Sequence, residues 1–344
     1  MKTLLNTLYI TNPEAYLRLE GDTICVELER EKVLQVPLHH IGAVVCFGEA
    51  LVSPAVMARC TQDGKSIAYL SRRGEFAARI EGATSGNVLL RLDQFQSYSD
   101  PTAVKEISQS IVAGKLNNSR QIVMRGARES TDDGDTAILK RVADLLASLQ
   151  GKVQSTRDLD HLRGIEGEGA KFYFEAVNRI VRDDQRSDFA MDGRSRRPPR
   201  DRMNAILSFL YTLLVVDCRA ALEAVGLDPQ IGFLHSVRPG RPALALDLAE
   251  EFRSVIADRV ALTLVNRGQL KSDDFEIRPG GAIWLSDQSR KAVIAAYQKR
   301  KQEEVNHPLV ESSVPLGVII HLQARLLART IRKDMDLYLP FLYR

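Results

Sequence analysis

The hydrophobic period of this chain changes once, and that change limits the folds open to it. Over the first ~85 residues apolar and polar side chains alternate in short runs. These runs are "NTLYIT", "AYLRLE", "TICVELE" and "VLQVPL", separated by turn material such as "EGD" and "EREK". "HIGAVVCFG" and "SIAYLSRRGEFAARIEG" continue the pattern, with a short helix expected at "SPAVMARCTQDG" between them. A period of two puts successive side chains on opposite faces of a strand, and so many short strands need a second layer to bury one face. Residues 1–85 are therefore expected to form a small β-sandwich-like domain. After "GATSGN" apolar residues recur at intervals of three and four, often with Asp, Ser or Thr just before each run, as helix caps require. Residues 86–100 read as a linker and residues 101–344 as a larger all-helical domain. The fold class expected is α+β.

Composition matters here chiefly for what it excludes. A hydrophobic share of 44% over 344 residues is enough for a sizeable core. The four cysteines, Cys25, Cys46, Cys60 and Cys218, are widely spaced with no C-x-x-C pair, which argues against a zinc ribbon and a secreted disulfide scaffold. The longest apolar run, "AILSFLYTLLVV", is 12 residues long and ends at Asp217. A bilayer span needs about 20, so the run reads as a buried core helix and no membrane partner is expected. The opening residues show no signal-peptide pattern, and the cytoplasm is the expected compartment. A net charge of +3 does not by itself mark a nucleic-acid binder.

The distribution of charge is more informative. "DDQRSDFAMDGRSRRPPRDR", residues 183–202, holds Arg194, Arg196, Arg197, Arg200 and Arg202, with prolines that bar a helix beside them. A loop of this kind suits phosphate contact, although short charge runs are often only solvated surface.

Two carboxylate clusters could carry chemistry. In "GFLHSVRPGRPALALDLAEEFR", His235 precedes a helical segment carrying Asp247, Glu250 and Glu251. Asp247 shares a helix face with either glutamate, and periodicity leaves the choice between Glu250 and Glu251 open. One imidazole with carboxylate oxygens suits Mg²⁺ or Mn²⁺; the plain alternative is a solvated helix face. In "HLRGIEGEGAKFYFEAV", Glu166 lies between Gly164 and Gly167 where a helix is expected to begin, with Glu168 as its rival. Those glycines would let the backbone approach another element.

"RGIEGEGAKFYF", "RSRRPPRDRMNAILSFLYTLL" and "LDPQIGFLHSVRPGRPALALDLAEEFRSVIADRV" resemble, in order, the signatures of the CRISPR-associated integrase family. "GKLNNSRQIVMR", "NTLYI" and "VVCFGEALVSPAV" fit it too, so the resemblance spans almost the whole chain. The tail "RTIRKDMDLYLPFLYR" resembles the version found with type I effector complexes, subtype I-C among them. The resemblance implies that Glu166, His235 and Glu250 hold a divalent ion, Mg²⁺ or Mn²⁺, with Asp247 as the nearby acidic residue. Ala249 stands where the family often has methionine.

It further implies a metal-dependent DNA endonuclease and integrase of CRISPR adaptation. Such an enzyme joins the 3′-hydroxyl ends of short foreign DNA to the CRISPR repeat, working as a homodimer with dimer contacts in the β domain. A small ferredoxin-like partner of the same module would bridge two dimers. Two other readings use the same features: a metal-dependent nuclease of branched DNA in repair, and a non-catalytic DNA-binding scaffold. If Glu166 and Glu250 are the ligands, alanine at Glu168 or Glu251 is expected to be mild.

Overall fold

The computed structural model describes residues 6–72, 74–82, 88–195, 198–307 and 310–344, the side chains of 310–312 excepted. The chain divides into two compact units, Met1–Gly86 and Asn87–Arg344.

The first unit is two four-stranded sheets around one core. Its strands are β1 (Asn6–Ile10), β2 (Tyr16–Glu20), β3 (Thr23–Leu28), β4 (Glu31–Pro37), β5 (Ile41–Phe47), β6 (Leu51–Val52), β7 (Ser66–Leu70) and β8 (Phe76–Ile80), with helix α1 (Pro54–Gln62) between β6 and β7. One sheet runs β4-β3-β2-β6 and the other β1-β5-β7-β8. Leu17, Ile24 and Val26 from the first meet Val44, Cys46 and Ile67 from the second in a single buried cluster. β1, β5 and β7 pair in parallel, and β2 also pairs in parallel with its edge neighbour β6. α1 is capped by Ser53, whose hydroxyl accepts from Val56 N–H, and it lies where a helix is expected.

The second unit is mostly helical. Its elements begin with α2 (Val88–Ser99), α3 (Pro101–Glu129), α4 (Asp133–Lys152), α5 (Leu159–Ile180), α6 (Asp183–Phe189), α7 (Arg202–Val225) and α8 (Ala243–Glu250). They continue with a π-helical stretch (Arg253–Asp258), α9 (Arg259–Asn266), β9 (Phe275–Ile277), β10 (Ile283–Leu285), α10 (Asp287–Gln302), β11 (Glu304–His307), β12 (Val310–Pro315) and α11 (Leu316–Ile331). Asp100, Asp132, Asp158, Asp201 and Ser286 each cap the following helix by accepting a first-turn N–H, residue types in keeping with the Asp and Ser expected before helical runs. Each satisfies a donor that the helix itself leaves open.

Three expectations change. Residues 88–99 are a helix rather than a linker; Gln94 on it is buried and ties down the loop before α8, donating to Asp228 O and Ile231 O and accepting from Asp228 N–H. The helical unit also carries two short hairpins, β9–β10 and β11–β12. And residues 183–189 of the arginine-rich segment form α6. α7 is long and apolar enough to cross a membrane by length and composition. Within the unit it packs against α8 and α11, burying Ile206, Leu210, Leu213, Leu214 and Leu222. All four cysteines are buried and free.

Candidate metal centre

The segment that carries Asp247, Glu250 and Glu251, the last turns of α8 and the residue after it, has no solvated face. Asp247 and Glu251 are fully buried and Glu250 is 2% exposed. A buried carboxylate must be paired or hydrogen-bonded to be tolerated, so each of the three needs partners.

Asp247 is committed to the loop before the helix. Its Oδ2 accepts from Phe233 N–H (2.6 Å) and Leu234 N–H (3.1 Å), and its Oδ1 from His235 N–H (2.9 Å). The same Oδ1 lies 2.6 Å from His235 Nδ1. A carboxylate at Nδ1 keeps the proton on that nitrogen and turns Nε2 outward as a lone-pair donor. The loop can close this far because Gly232 has no side chain: a Cβ there would lie 2.6 Å from the carbonyl carbon of Ala243 and 2.8 Å from Asp247 Oδ2. Arg163, on α5, donates from Nε and Nη2 to Leu234 O (3.1 and 2.9 Å). The helix that carries Glu166 is thereby tied to the loop that carries His235.

Glu250 faces the other way, into a cluster of charges. Its Oε1 lies 2.8 Å from Arg253 Nη1 and 3.7 Å from His235 Nε2. Its Oε2 lies 2.8 Å from the Lys115 ammonium. Lys115, on α3, also pairs with Glu166 on α5. One cation therefore sits between two carboxylates from different helices, with the histidine at the edge. Burial acts to raise the Glu250 carboxyl, but the Arg253 and Lys115 charges outweigh it and hold the group well below the usual carboxylate range. For Lys115 burial acts to strip the proton, and Glu250 and Glu166 outweigh it in turn, so the amine stays charged above the ordinary lysine range.

Glu166 lies two turns inside α5, which begins at Leu159, so it is not the helix-start glutamate that its flanking glycines suggested. A Cβ at Gly164 or Gly167 would meet nothing within 4 Å. The close approach is at Gly169, where a Cβ would come within 2.4 Å of Leu116 Cδ2. That glycine lets α5 press against α3 and brings Glu166 to Lys115. Glu166 and His235 side chains are 27% and 21% exposed, so they form the mouth of the cluster above the buried Glu250. Glu168 is exposed.

Behind the cluster, Tyr173 and Tyr211 both donate to Asp258 (2.8 and 2.7 Å). Burial raises the Asp258 carboxyl to about 6, against the pull of those hydrogen bonds. The guanidinium groups of Arg253 and Arg194 lie 4.9 and 5.1 Å from the Tyr211 ring centre. None of Lys115, Arg253, Tyr173, Tyr211 or Asp258 was singled out from sequence. Arg253 could have been, since it stands three residues after Glu250, a spacing that puts the pair on one helix face.

Glu251 does not share this site. It accepts from Tyr338 OH, from Phe341 N–H (2.7 Å) and from Gln323 Nε2 (3.0 Å). Burial raises its carboxyl to about 7. The expectation that Glu251 is a mild position is corrected: its carboxylate anchors the tail that follows α11.

The arginine segment separates into two kinds of residue. Arg194 donates to Ser195 O (2.7 Å), to Asn204 Oδ1 and to Ser208 Oγ. Arg202 donates to Asp188 O (3.0 Å). Arg200 is exposed, and Arg196 and Arg197 lie outside the described residues.

Oxygen donors from two glutamates and one imidazole nitrogen fit a hard divalent cation such as Mg²⁺ or Mn²⁺. As arranged here, no three His, Cys, Asp or Glu side chains among the described residues stand close enough to hold an ion. The place between Glu166 and Glu250 is taken by the Lys115 ammonium.

Comparison with known proteins converges on one family. The family model described as CRISPR associated protein Cas1 matches residues 8–299. The CRISPR-associated endonuclease Cas1 1 of Moorella thermoacetica is 51% identical over 344 residues, covering the whole of both chains. A CAS1 protein from Thermotoga maritima has the same fold, with a TM-score of 0.82 at 23% identity over 97% of this chain and 99% of that one. A casposase bound to integration product matches with a TM-score of 0.83 at 19% identity, over 99% of this chain and 95% of that one.

Proposed function

From the premise that this chain belongs to the CRISPR-associated Cas1 family, we propose that it is a divalent-metal-dependent DNA endonuclease and integrase of CRISPR adaptation, acting in the cytoplasm. The observation that carries the reading is that Lys115 bridges Glu166 and Glu250 from two different helices, with His235 Nε2 3.7 Å from Glu250 Oε1. Glu166, Glu250 and His235 Nε2 would hold Mg²⁺ or Mn²⁺, which when bound supplies Lewis-acid polarisation of a phosphodiester oxygen. Asp247 fixes the imidazole, and Arg253 keeps Glu250 ionised. The partly exposed mouth at Glu166 and His235 admits the scissile phosphate. The bond formed joins the 3′-oxygen of a DNA fragment to a repeat phosphorus, and the bond broken releases the repeat's own 3′-oxygen; in hydrolysis water replaces the fragment.

The test is strand transfer of a labelled fragment into double-stranded repeat DNA, with and without Mn²⁺ and with and without the small ferredoxin-like adaptation partner. Transfer that needs both supports the reading. Cleavage of branched DNA with no transfer under any of these conditions would replace it with a repair nuclease, and neither activity would leave a DNA-binding scaffold.

The β unit is proposed to supply the homodimer contacts. Val33 and Leu34 on edge strand β4 are 55% and 45% exposed, and Leu51 on edge strand β6 is 66% exposed. Exposed apolar residues on sheet edges invite pairing with another chain. Removing residues 1–86 is expected to give monomers by sedimentation, and a dimeric remainder refutes the assignment.

DNA affinity from the arginine loop is proposed to rest on Arg196, Arg197 and Arg200, since Arg194 and Arg202 are engaged internally. Alanine at all three is expected to flatten the plot of log affinity against log salt, by about 0.9 for each phosphate no longer neutralised. An unchanged slope would make the loop a connector.

A further inference from the structure

Lys115 has the chemistry of a counter-ion rather than of a surface lysine. Its side chain is 12% exposed, and its ammonium meets both Glu166 and Glu250. An ammonium and a divalent ion cannot share that space: they would repel at short range in a medium that screens poorly. We propose that Lys115 holds the place of the ion, neutralising Glu166 and Glu250 until a divalent cation enters, and that it must swing aside for the cation to bind. The lysine thereby sets how tightly the ion is held. This rests on the metal-site reading above.

The surroundings give the ammonium a destination. Beside it lies a cavity of about 40 Å³, lined in part by Ser119, Tyr211, Ser254 and Asp258. Ser254 Oγ is buried there without a hydrogen-bond partner. The lysine stem has four rotatable carbons, whereas Arg253, the other cation on Glu250, lies over the Tyr211 ring. Of the two, Lys115 is the cation free to move. Its side chain bridges α3 to α5 and α8, so its departure leaves the two carboxylates without the cation between them.

The experiment is calorimetric titration of Mn²⁺, without DNA, into the full-length protein and its Lys115→Met, Lys115→Arg and Glu250→Gln variants at one pH. Lys115→Met is expected to bind Mn²⁺ at least about tenfold more tightly than the parent, because the competing charge is gone and the ligands remain. Lys115→Arg, which keeps the charge, is expected to show no such gain. In chelator, Lys115→Met is expected to melt below the parent, and saturating Mn²⁺ is expected to raise its melting temperature by more than the parent's. A merely structural lysine would lower stability without tightening the metal. Equal or weaker Mn²⁺ binding by Lys115→Met overturns the proposal. If that variant does not fold, Lys115→Gln is judged by the same criterion. If Glu250→Gln binds Mn²⁺ as tightly as the parent, no ion is held here, and the metal-site reading itself falls.

Discussion

Glu250→Gln is expected to reduce Mn²⁺-dependent cleavage and strand transfer on the order of a thousandfold, the scale on which loss of a charge-stabilising group is felt at a reacting centre. The substitution keeps the shape of the side chain and an acceptor oxygen for Arg253. It removes the charge that the cluster is arranged to hold low in proton affinity. Glu166→Gln and His235→Ala are expected to match it, because in the proposed site all three side chains would hold one ion. Asp247→Ala is expected to cost about 10- to 100-fold, as partners that orient a ligand usually do. Its loss frees three backbone N–H groups as well as the imidazole. Glu168→Ala, on an exposed position, is expected to be silent. The measurement is the rate with saturating Mn²⁺, with circular dichroism confirming the fold. Full metal-dependent activity in His235→Ala would sink the three-ligand reading.

The neighbouring carboxylate behaves oppositely. Glu251→Ala is expected to destabilise the protein by roughly 3–5 kcal/mol, the cost of breaking a buried polar network from one side. Tyr338 OH, Gln323 Nε2 and Phe341 N–H would each lose an acceptor. The tail they hold also stacks Phe341 on Phe252 and sets Pro340 against Gly114, where a Cβ would come within 2.7 Å. Glu251→Gln is expected to be milder and to change the pH dependence. The folded carboxyl sits near 7, above its unfolded value, so the folded state binds the extra proton between about pH 4.5 and 7. Stability from this group is fully present below that window and is lost as pH rises through it. Denaturant midpoints for the parent should fall across the window, and in Glu251→Gln that component of the fall should vanish. A parent and variant with parallel profiles would contradict the assignment.

Much of the fold was legible because it depends on local pattern. Alternation marked β2, β3 and β5, three- and four-residue spacing marked α3 and α7, and Asp100 and Asp201 stood where helical runs were expected to start. Other parts depend on partners far away in sequence. The parallel pairing of β1 with β5 and of β5 with β7 leaves no local trace. α2 carries exposed Leu89, Leu92 and Phe95, so its apolar spacing did not separate it from a linker. At the candidate site, sequence grouped Glu250 with Glu251 because they adjoin, whereas the fold sends one to Lys115 and the other to Tyr338. Helix α8 ends between them and a π-helical stretch follows, and no periodicity argument foresees such a break. Lys115 stayed hidden because a single lysine in a helix has no motif until Glu166 and Glu250 arrive beside it.

That arrival has a consequence for when the protein can act on DNA. Lys115, Glu166, His235 and Glu250 are contributed by four segments that meet only after the chain has closed its long-range contacts. Such contacts form late, since chain entropy must be given up before they are rewarded. In a half-folded chain the proposed ligands would still be scattered. On the proposed reading, cutting competence thus belongs to the last stage of maturation.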